Sequence, residues 1–199
     1  MKFKSGYTSK TKENILINAG VLFKNFIVGT DTFEKAIAAG KLLGDTNGGS
    51  TFKAVANFFD IETDGAPSNT KGLTHIDFWD VTLDTNLAEM TQENLVLALG
   101  AANAEDSEDD KYTVISGKDD VEDSDYVDNI TIIGTITGSD EPVIIQVFNA
   151  LCKDGLELKT EKKKGTVIAA TFTGHYTEED VNTPPYKIYY PKQQNTLEI

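Results

Sequence analysis

Apolar and polar residues alternate with a period of two in several segments of this chain, and this pattern limits the fold more than any other feature. It is clearest after residue 78, where one register reads Trp79, Val81, Leu83 and Thr85 and the other reads Asp80, Thr82, Asp84 and Asn86. Successive side chains of a strand point to opposite faces of a sheet. The segment therefore predicts a strand with one packed face and one acidic, water-facing face.

The same alternation returns twice in the second half of the chain. Over residues 130–137 one register has Ile130, Ile132 and Ile136, and the other has Thr131, Ile133, Thr135 and Thr137. Over residues 168–173 apolar residues alternate with Thr171 and Thr173. We expect the apolar members of these segments to pack together between two sheets. The predicted core residues are Trp79, Val81, Leu83, Ile130, Ile132, Ile136 and Phe172.

Turn-forming residues divide the chain into segments of strand length. Residues 52–63 and 73–87 flank the turn sequence DGAPSNTKG and predict a long β-hairpin. Residues 14–28 predict one strand, or a pair joined near Asn18 to Gly20. An antiparallel meander and a final short edge strand are predicted from 126–137, 143–152, 156–161, 166–176 and the sequence KIYYP.

Helical signals are few. Residues 91–102 predict a helix with Thr91 as its N-cap. In residues 31–50, Thr32 could cap a short helix, but four glycines in close succession favour a long loop, and we predict a loop.

The predicted domain organisation is simple. Residues 1–12 are a flexible, lysine-rich N-terminal arm, residues 103–125 are a second long loop, and residues 13–199 form a single domain. About eight strands and one helix predict a mainly β fold, an antiparallel β-sandwich with one flanking α-helix.

Charge narrows the choice of partners. The chain carries 32 carboxylates against 18 lysines, a net charge of −14, and it has no arginine. Proteins that bind nucleic acid need clustered positive charge and commonly use guanidinium groups, so such binding is not expected. No apolar stretch approaches the roughly 20 residues of a membrane span. The first residues lack the apolar region of a secretory signal, and the single cysteine, Cys152, fits a reducing cytoplasm.

Motifs of catalytic and ligand sites are not found in the sequence. His75 and His175 lie far apart and accompany one cysteine, which is not a zinc-ligand spacing. Phosphate-loop and nucleophile-elbow sequences do not occur. The acidic stretch DDVEDSDYVDN lacks the glycine and the glutamate of a calcium loop. We therefore expect no catalytic residues, no cofactor and no metal site, with weak calcium affinity left open.

Five stretches spread over most of the chain carry a family resemblance. They are ENILINAGVLFKNF, GKLLGDTNGGSTFKAVANFFDIETDG, KGLTHIDFWDVTLDTNLAEMTQENLVLALGAA, DYVDNITIIGTITGSDEPVIIQVFNALCKDGLELKT and FTGHYTEEDVNTPPYKIYYP. In order and spacing they resemble the major tail proteins, or tail tube proteins, of long-tailed bacteriophages.

This resemblance implies a β-sandwich flanked by a helix, with six copies in a ring and rings stacked into a tube around a tape-measure protein. It implies further partners in the tail terminator and the initiator or distal tail proteins. Genome DNA would pass through the tube without specific binding. The protein would be made in the host cytoplasm and end in the virion tail, with no membrane contact and no enzymatic activity.

In such a tube the polar registers of the strands are candidates for the channel wall. Carboxylates there would repel DNA phosphates over a Debye length of about 8–10 Å, so that DNA slides without sticking. The alternative for each residue is exposure to ordinary solvent. The residues predicted to face the lumen are Asp80, Thr82, Asp84, Asn86, Thr131, Thr135 and Thr137.

Contacts between subunits and between rings are predicted in the segment 40–52, because exposed leucines on a flexible, glycine-rich segment need a partner. The alternative is that this segment folds back on its own sandwich. The predicted contact residues are Leu42, Leu43, Gly44, Gly48, Gly49 and Phe52.

A function of another class stays open, namely an isolated acidic β-sandwich module that binds carbohydrate or calcium. Trp79 and the tyrosines would be its stacking platforms. Against this, Trp79 shares its register with Val81 and Leu83, as a core residue would.

Overall fold

The structure is a computed structural model and describes residues 6–8, 10–158, 160, 162 and 165–192. Within these residues the chain forms nine strands and two α-helices, with 3-10 turns at Thr11–Glu13 and Asp123–Asp125. The elements are β1 (Leu16–Lys24), α1 (Phe33–Ala38), β2 (Thr46–Asp60), β3 (Thr74–Leu87), α2 (Gln92–Leu99), β4 (Ala102–Asp106), β5 (Thr113–Gly117), β6 (Val127–Ile136), β7 (Val143–Cys152), β8 (Ile168–Thr173) and β9 (Tyr186–Tyr189). All strand pairs are antiparallel, and the predicted mainly β class is confirmed.

Of the strands described, seven form the sandwich, in the order β1-β6-β7-β8-β3-β2 with β9 paired to β7. β7 belongs to both layers, because Ile144–Val147 pair with β9 whereas Leu151 and Cys152 pair with β8. Asn149 lies between the two pairings with a left-handed backbone, φ 46°, a conformation that asparagine tolerates better than most residues. The first sheet (β1, β6, β7, β9) therefore passes into the second (β2, β3, β8) at this point.

The main core lies between the two sheets. Leu22, Ile130 and Val147 from the first sheet meet inward-facing residues of the second, all of them fully or almost fully buried: Val81, Leu83, Leu87, Ile168, Ala170 and Phe172. Among the predicted core residues, Val81, Leu83, Ile130, Ile136 and Phe172 are buried, while Trp79 and Ile132 are half-buried against this cluster. The period-two pattern thus identified these residues as packed, although it missed that the other face of β6 is covered as well.

A second, smaller core covers the opposite face of the first sheet. Residues 25–43, called the helix layer below, contain α1 and pack Phe26 and Ala36 against Phe23 of β1. The predicted loop over 31–50 is therefore wrong. Thr32 caps α1 by accepting a hydrogen bond from the Lys35 amide at 3.3 Å, and burial of one apolar face holds so short a helix in place.

α2 closes the core beside β7 and β8. The Thr91 side chain caps it as predicted, accepting from the Asn94 amide at 3.1 Å. The buried Asn94 donates through Nδ2 to the carbonyls of Leu43 and Glu89, each at 2.9 Å. The helix stops at Gly100, where the backbone turns to φ 78°, two residues before the predicted end.

β4 and β5 form a separate two-stranded hairpin paired from Ala102 and Gly117 to Asp106 and Thr113. The predicted loop over 103–125 is therefore wrong, because cross-strand pairing satisfies the backbone while acidic side chains remain in water. Beyond β5, Lys118 Nζ contacts Asp125 at 2.7 Å and Glu122 at 2.9 Å. The hydrogen bonds from Lys118 to these two carboxylates raise its pKa, and the bond to Asp125 has the larger effect.

Two further predictions concern segments that are only partly described. Residues 156–158 and 160 form no strand, contrary to the prediction for 156–161, and residues 159 and 161 lie outside the described residues. Residues 1–5 and 9 of the predicted arm also lie outside them. The described end of that arm enters the 3-10 turn at Thr11–Glu13.

Candidate assembly surfaces

The hairpin of β2 and β3 is the longest feature of the fold and extends past the sandwich. Its strands pair from Thr46 and Leu87 to Asp60 and Thr74. In β3, alternate residues are buried only from Val81 onward, whereas residues 74–78 are all exposed. The half of the hairpin next to its turn therefore has little of the core beneath it.

The outer face of the second sheet carries the strongest candidate for a channel wall. Asp80 and Asp84 are exposed, and Thr82 and Asn86, on the same side of β3, are half-buried. A depression of about 370 Å³ on this face is bordered by three carboxylates, those of Asp84, Asp154 and Glu157. We call Asp80, Thr82, Asp84 and Asn86 the acidic face, and the structure places all four on one surface as their spacing predicts.

The threonines predicted to share that wall lie elsewhere. Thr131 is completely buried, donating to Asn129 Oδ1 at 2.7 Å and accepting from Gln146 Nε2 at 2.9 Å. It cannot face a water-filled channel, so this prediction is wrong. The polar register of β6 faces away from the main core, toward the helix layer, because neighbouring isoleucines fill the core.

Thr135 and Thr137 are exposed, but they belong to the first sheet and not to the sheet of the acidic face. The Thr137 hydroxyl donates to the Lys12 carbonyl and holds the segment just before β1 against the end of β6. The two predicted groups of lumen residues therefore lie on opposite sides of the sandwich, so one flat wall cannot contain both.

The segment predicted to contact other subunits is folded onto its own sandwich. Leu43 is buried in the main core, and Leu42 is half-buried beside Phe23. The Leu43 amide donates to the Leu22 carbonyl at 3.0 Å, so this segment covers part of the free edge of β1. The premise of exposed leucines is wrong because these side chains complete the two cores.

The other members of that predicted set are also engaged within the chain. Phe52 is half-buried, with its ring 5.7 Å from that of Tyr186. Gly44, Gly48 and Gly49 have φ between 77° and 97°, where glycine avoids the strain of a side chain, and they shape the entry into β2. The sequence analysis recognised that these glycines interrupt regular structure. In the structure they form turns and do not make the segment a flexible loop.

Large apolar side chains that the sequence analysis missed are exposed near the turn of the hairpin, with Val55 and Phe78 on the side of the acidic face and the paired Phe58 and Ile76 on the other side. Val55, Phe58, Ile76 and Phe78 are 40%, 65%, 49% and 47% exposed. We call these four residues the hairpin patch. The sequence NFFDIE could have indicated these exposed side chains. Adjacent side chains of a strand point to opposite faces, so Phe58 and Phe59 cannot both pack against one core.

β2 also presents an open edge. Within the described residues β2 pairs with β3 alone, through twelve of its fifteen positions. An unpaired edge is a row of free amide and carbonyl groups that a strand of another molecule can join. This edge and the hairpin patch adjoin each other.

His175 is a half-buried ionisable side chain that hydrogen bonds fix against β7. Its Nδ1 lies 3.0 Å from the Asn149 carbonyl, while Asn149 Nδ2 donates to the His175 carbonyl at 3.0 Å. Nδ1 therefore carries the proton, and Nε2 is buried with no hydrogen-bond partner among the described residues. Burial of the ring is the main cause that lowers the pKa of His175, and the positive charge of Lys153 lowers it further.

The lowered pKa predicts acid sensitivity. The unfolded chain binds the proton near pH 6.5 and the folded chain only at lower pH, so the contribution of His175 to stability is present above about pH 6.5 and is lost as pH falls. Because the ring is only half-buried, the expected loss is below about 1 kcal/mol. Urea unfolding at neutral and mildly acidic pH should show this loss in the wild type and less of it in His175→Gln. An equal pH dependence in the two proteins would contradict the prediction, and the exposed His75→Gln is the control.

The described residues contain neither a cluster of three or more His, Cys, Asp or Glu side chains able to hold a metal ion nor a helix long and apolar enough to cross a membrane. The chain matches no protein-family model, and no curated protein is significantly similar to it.

Proposed function

We propose that this chain is the structural subunit of a bacteriophage tail tube. In this proposal six copies form a ring, and rings stack around a tape-measure protein into the channel for genome DNA, with terminator and initiator proteins at the ends of the tail. The mature location is the virion tail, after assembly in the host cytoplasm.

The observation that carries the proposal is the hairpin patch. Four large apolar side chains, two of them phenylalanines, are exposed on the two faces of a hairpin that has little core beneath its turn end. A monomeric protein rarely leaves such a patch in water. The patch therefore supports a protein that is complete only in contact with further chains.

The open edge of β2 supports the same proposal. A free edge of fifteen residues invites uncontrolled pairing unless a defined partner covers it. Joining β-sheets of neighbouring subunits into a closed ring removes such edges. We place the lateral contacts of the ring at this edge and not at the buried residues Leu42 and Leu43.

The acidic face supports the role as a channel. If each of six subunits gave four strands, about 24 strands at about 4.8 Å with a tilt near 40° would close a barrel of about 48 Å backbone diameter. A duplex fits inside such a barrel. Asp80 and Asp84 on its inner surface would keep DNA phosphates from binding.

The binding-module alternative has less support from the aromatic residues. Trp79 is half-buried, its ring lies 5.4 Å from that of Tyr186, and its amide donates to the Tyr176 hydroxyl at 2.8 Å. A stacking platform for a sugar needs an aromatic face open to solvent. Trp79 instead packs within the sandwich.

Sedimentation over a range of protein concentrations, combined with electron microscopy, tests the proposal. We expect annuli and tubes in concentrated or seeded samples and slowly sedimenting subunits on dilution. Calcium and a panel of oligosaccharides serve as controls and should leave the melting temperature unchanged. Particles that stay single at every concentration, with melting raised by calcium or a sugar, would support the binding module instead.

A further inference from the structure

Asn47 is an exposed asparagine at the entry into β2, and the residue that follows it is Gly48. It is the only asparagine of the sequence that precedes a glycine. The backbone nitrogen of the residue after an asparagine can attack the carbon of the side-chain amide and close a ring. A side chain on that following residue hinders the approach, and glycine has none. The sequence therefore makes Asn47 the most reactive asparagine of the chain.

The local structure leaves this pair outside the regular ladder of β2 and β3. Thr46 pairs with Leu87, and the next paired residue of β2, Ser50, lies opposite Thr85. Three residues of β2 therefore lie opposite the single residue Asn86, so at least two of the three have no partner residue in β3. Regular pairing would hold the backbone extended and its amides hydrogen-bonded, and both would hinder closure of the ring.

The surroundings also leave the reacting groups free to approach each other. Among the described residues no hydrogen bond holds the Asn47 side chain. A Cβ built on Gly48 would have Asn86 Nδ2, at 3.8 Å, as the only atom within 4 Å beyond its chain neighbours, and one built on Gly49 would have none. The segment therefore has room to bring the Gly48 nitrogen to the Asn47 side chain, which is the geometry that the reaction needs.

We propose that Asn47 deamidates spontaneously in the folded protein, which makes this segment a site of covalent self-modification beside the acidic face. The Gly48 nitrogen loses its proton and bonds to Asn47 Cγ, the bond between Cγ and Nδ2 breaks, and ammonia leaves with the proton. The resulting cyclic imide takes up one water molecule. Opening at one carbonyl gives aspartate and opening at the other gives isoaspartate, and no oxidant or reductant is consumed.

The reaction adds one negative charge to a surface that is already acidic. Gly48 and Gly49 line the depression that the carboxylates of Asp84, Asp154 and Glu157 border. These charges oppose the anionic nitrogen that attacks, but the opposition is small because salt screens exposed charges. Each deamidated copy therefore has a more negative surface at this place. The inference is independent of the proposed tail-tube function, because it requires only the folded chain and water.

Mass spectrometry of the full-length chain, stored at neutral pH and sampled over time, tests the proposal. We expect deamidation at Asn47 to be at least about tenfold faster than at Asn69. Asn69 is the matched internal control, because it is exposed and lies outside the strands with φ 64° but precedes Thr70. The rate at Asn47 should rise with pH, because the attacking nitrogen must lose its proton.

Two further comparisons separate the effect of the fold from that of the sequence. In the full chain unfolded with guanidinium chloride only the sequence acts, and the rate at Asn47 should lie within about threefold of the rate in the folded chain. Asn47→Gln should remove the acidic product, because its ring closure needs one more atom. Asn47→Asp marks the position of the aspartate product in ion-exchange chromatography. The position is exposed, so both variants should fold.

Two outcomes would overturn the proposal. If Asn47 stays intact in the folded chain while it reacts in the unfolded chain, the fold protects it. If the acidic product still forms in Asn47→Gln at the wild-type rate, the reaction takes place at another residue.

Discussion

Tubes assembled from an Asp80→Lys, Asp84→Lys variant are expected to retain duplex DNA that wild-type tubes let pass. The two exposed carboxylates lie on the acidic face, four residues apart on one side of β3. In the proposed ring of six copies, the substitutions would replace a band of negative charge with a band of ammonium groups facing the DNA. Each phosphate that a lysine neutralises adds to the affinity through release of counterions.

The measurement is the fraction of DNA held by purified tubes as a function of salt. We expect at least a tenfold increase in retention at low salt, which disappears as the salt concentration rises. The control reverses two carboxylates on the β4–β5 turn, Glu108→Lys and Asp109→Lys, and should change retention little. Equal retention by the two charge-reversed tubes would show that the acidic face does not line the channel.

Gly100→Ala is expected to cause a large loss of stability although it adds a single methyl group. Gly100 ends α2 with φ 78° and ψ −71°, a conformation that residues with a side chain rarely adopt. A Cβ at this position would lie 2.2 Å from the Cys152 carbonyl oxygen. Backbone strain and the displacement of β7 together should cost about 3–5 kcal/mol of unfolding free energy.

Urea unfolding provides the measurement, with Gly117→Ala as the matched control. Gly117 lies at the end of β5, and a Cβ there would meet no atom within 4 Å. The control should change the free energy of unfolding by less than about 0.5 kcal/mol. A loss below about 1 kcal/mol in Gly100→Ala would mean that α2 can shift away from β7 at little cost.

Much of the sheet architecture followed from local pattern. The predicted bounds of β7 coincide with the observed strand, and the predicted register of β3 from Trp79 to Asn86 assigned packed and outward faces correctly. Both segments have strong period-two or continuous apolar patterns, and these depend only on residues close in sequence. The Thr91 cap of α2 is local in the same way.

The errors arose where distant residues decide the outcome. α1 is only six residues long and is held by Phe23, which lies before it in β1. The exposure of Leu42 and Leu43 also depends on β1, because these two residues pair with the edge of that strand. A glycine-rich sequence indicates where the chain can turn, but it does not indicate which residues the following segment packs against.

The lumen assignment failed in part for a related reason. Alternation says which residues of one strand share a side, but it does not say which sheet that strand joins. Asp80 and Thr135 were grouped because each lies in a polar register, and the strand order separates them into different layers. The burial of Thr131 with Gln146 and Asn129 depends on the helix layer and has no local signature.

The membership of β7 in both layers has a mechanical consequence. Hydrogen-bonded pairing runs without a break from β1 through β6, β7, β8 and β3 to β2. A force applied at the β1 edge would therefore be transmitted to the β2–β3 hairpin through backbone hydrogen bonds, and side-chain packing between the layers would not be its only route.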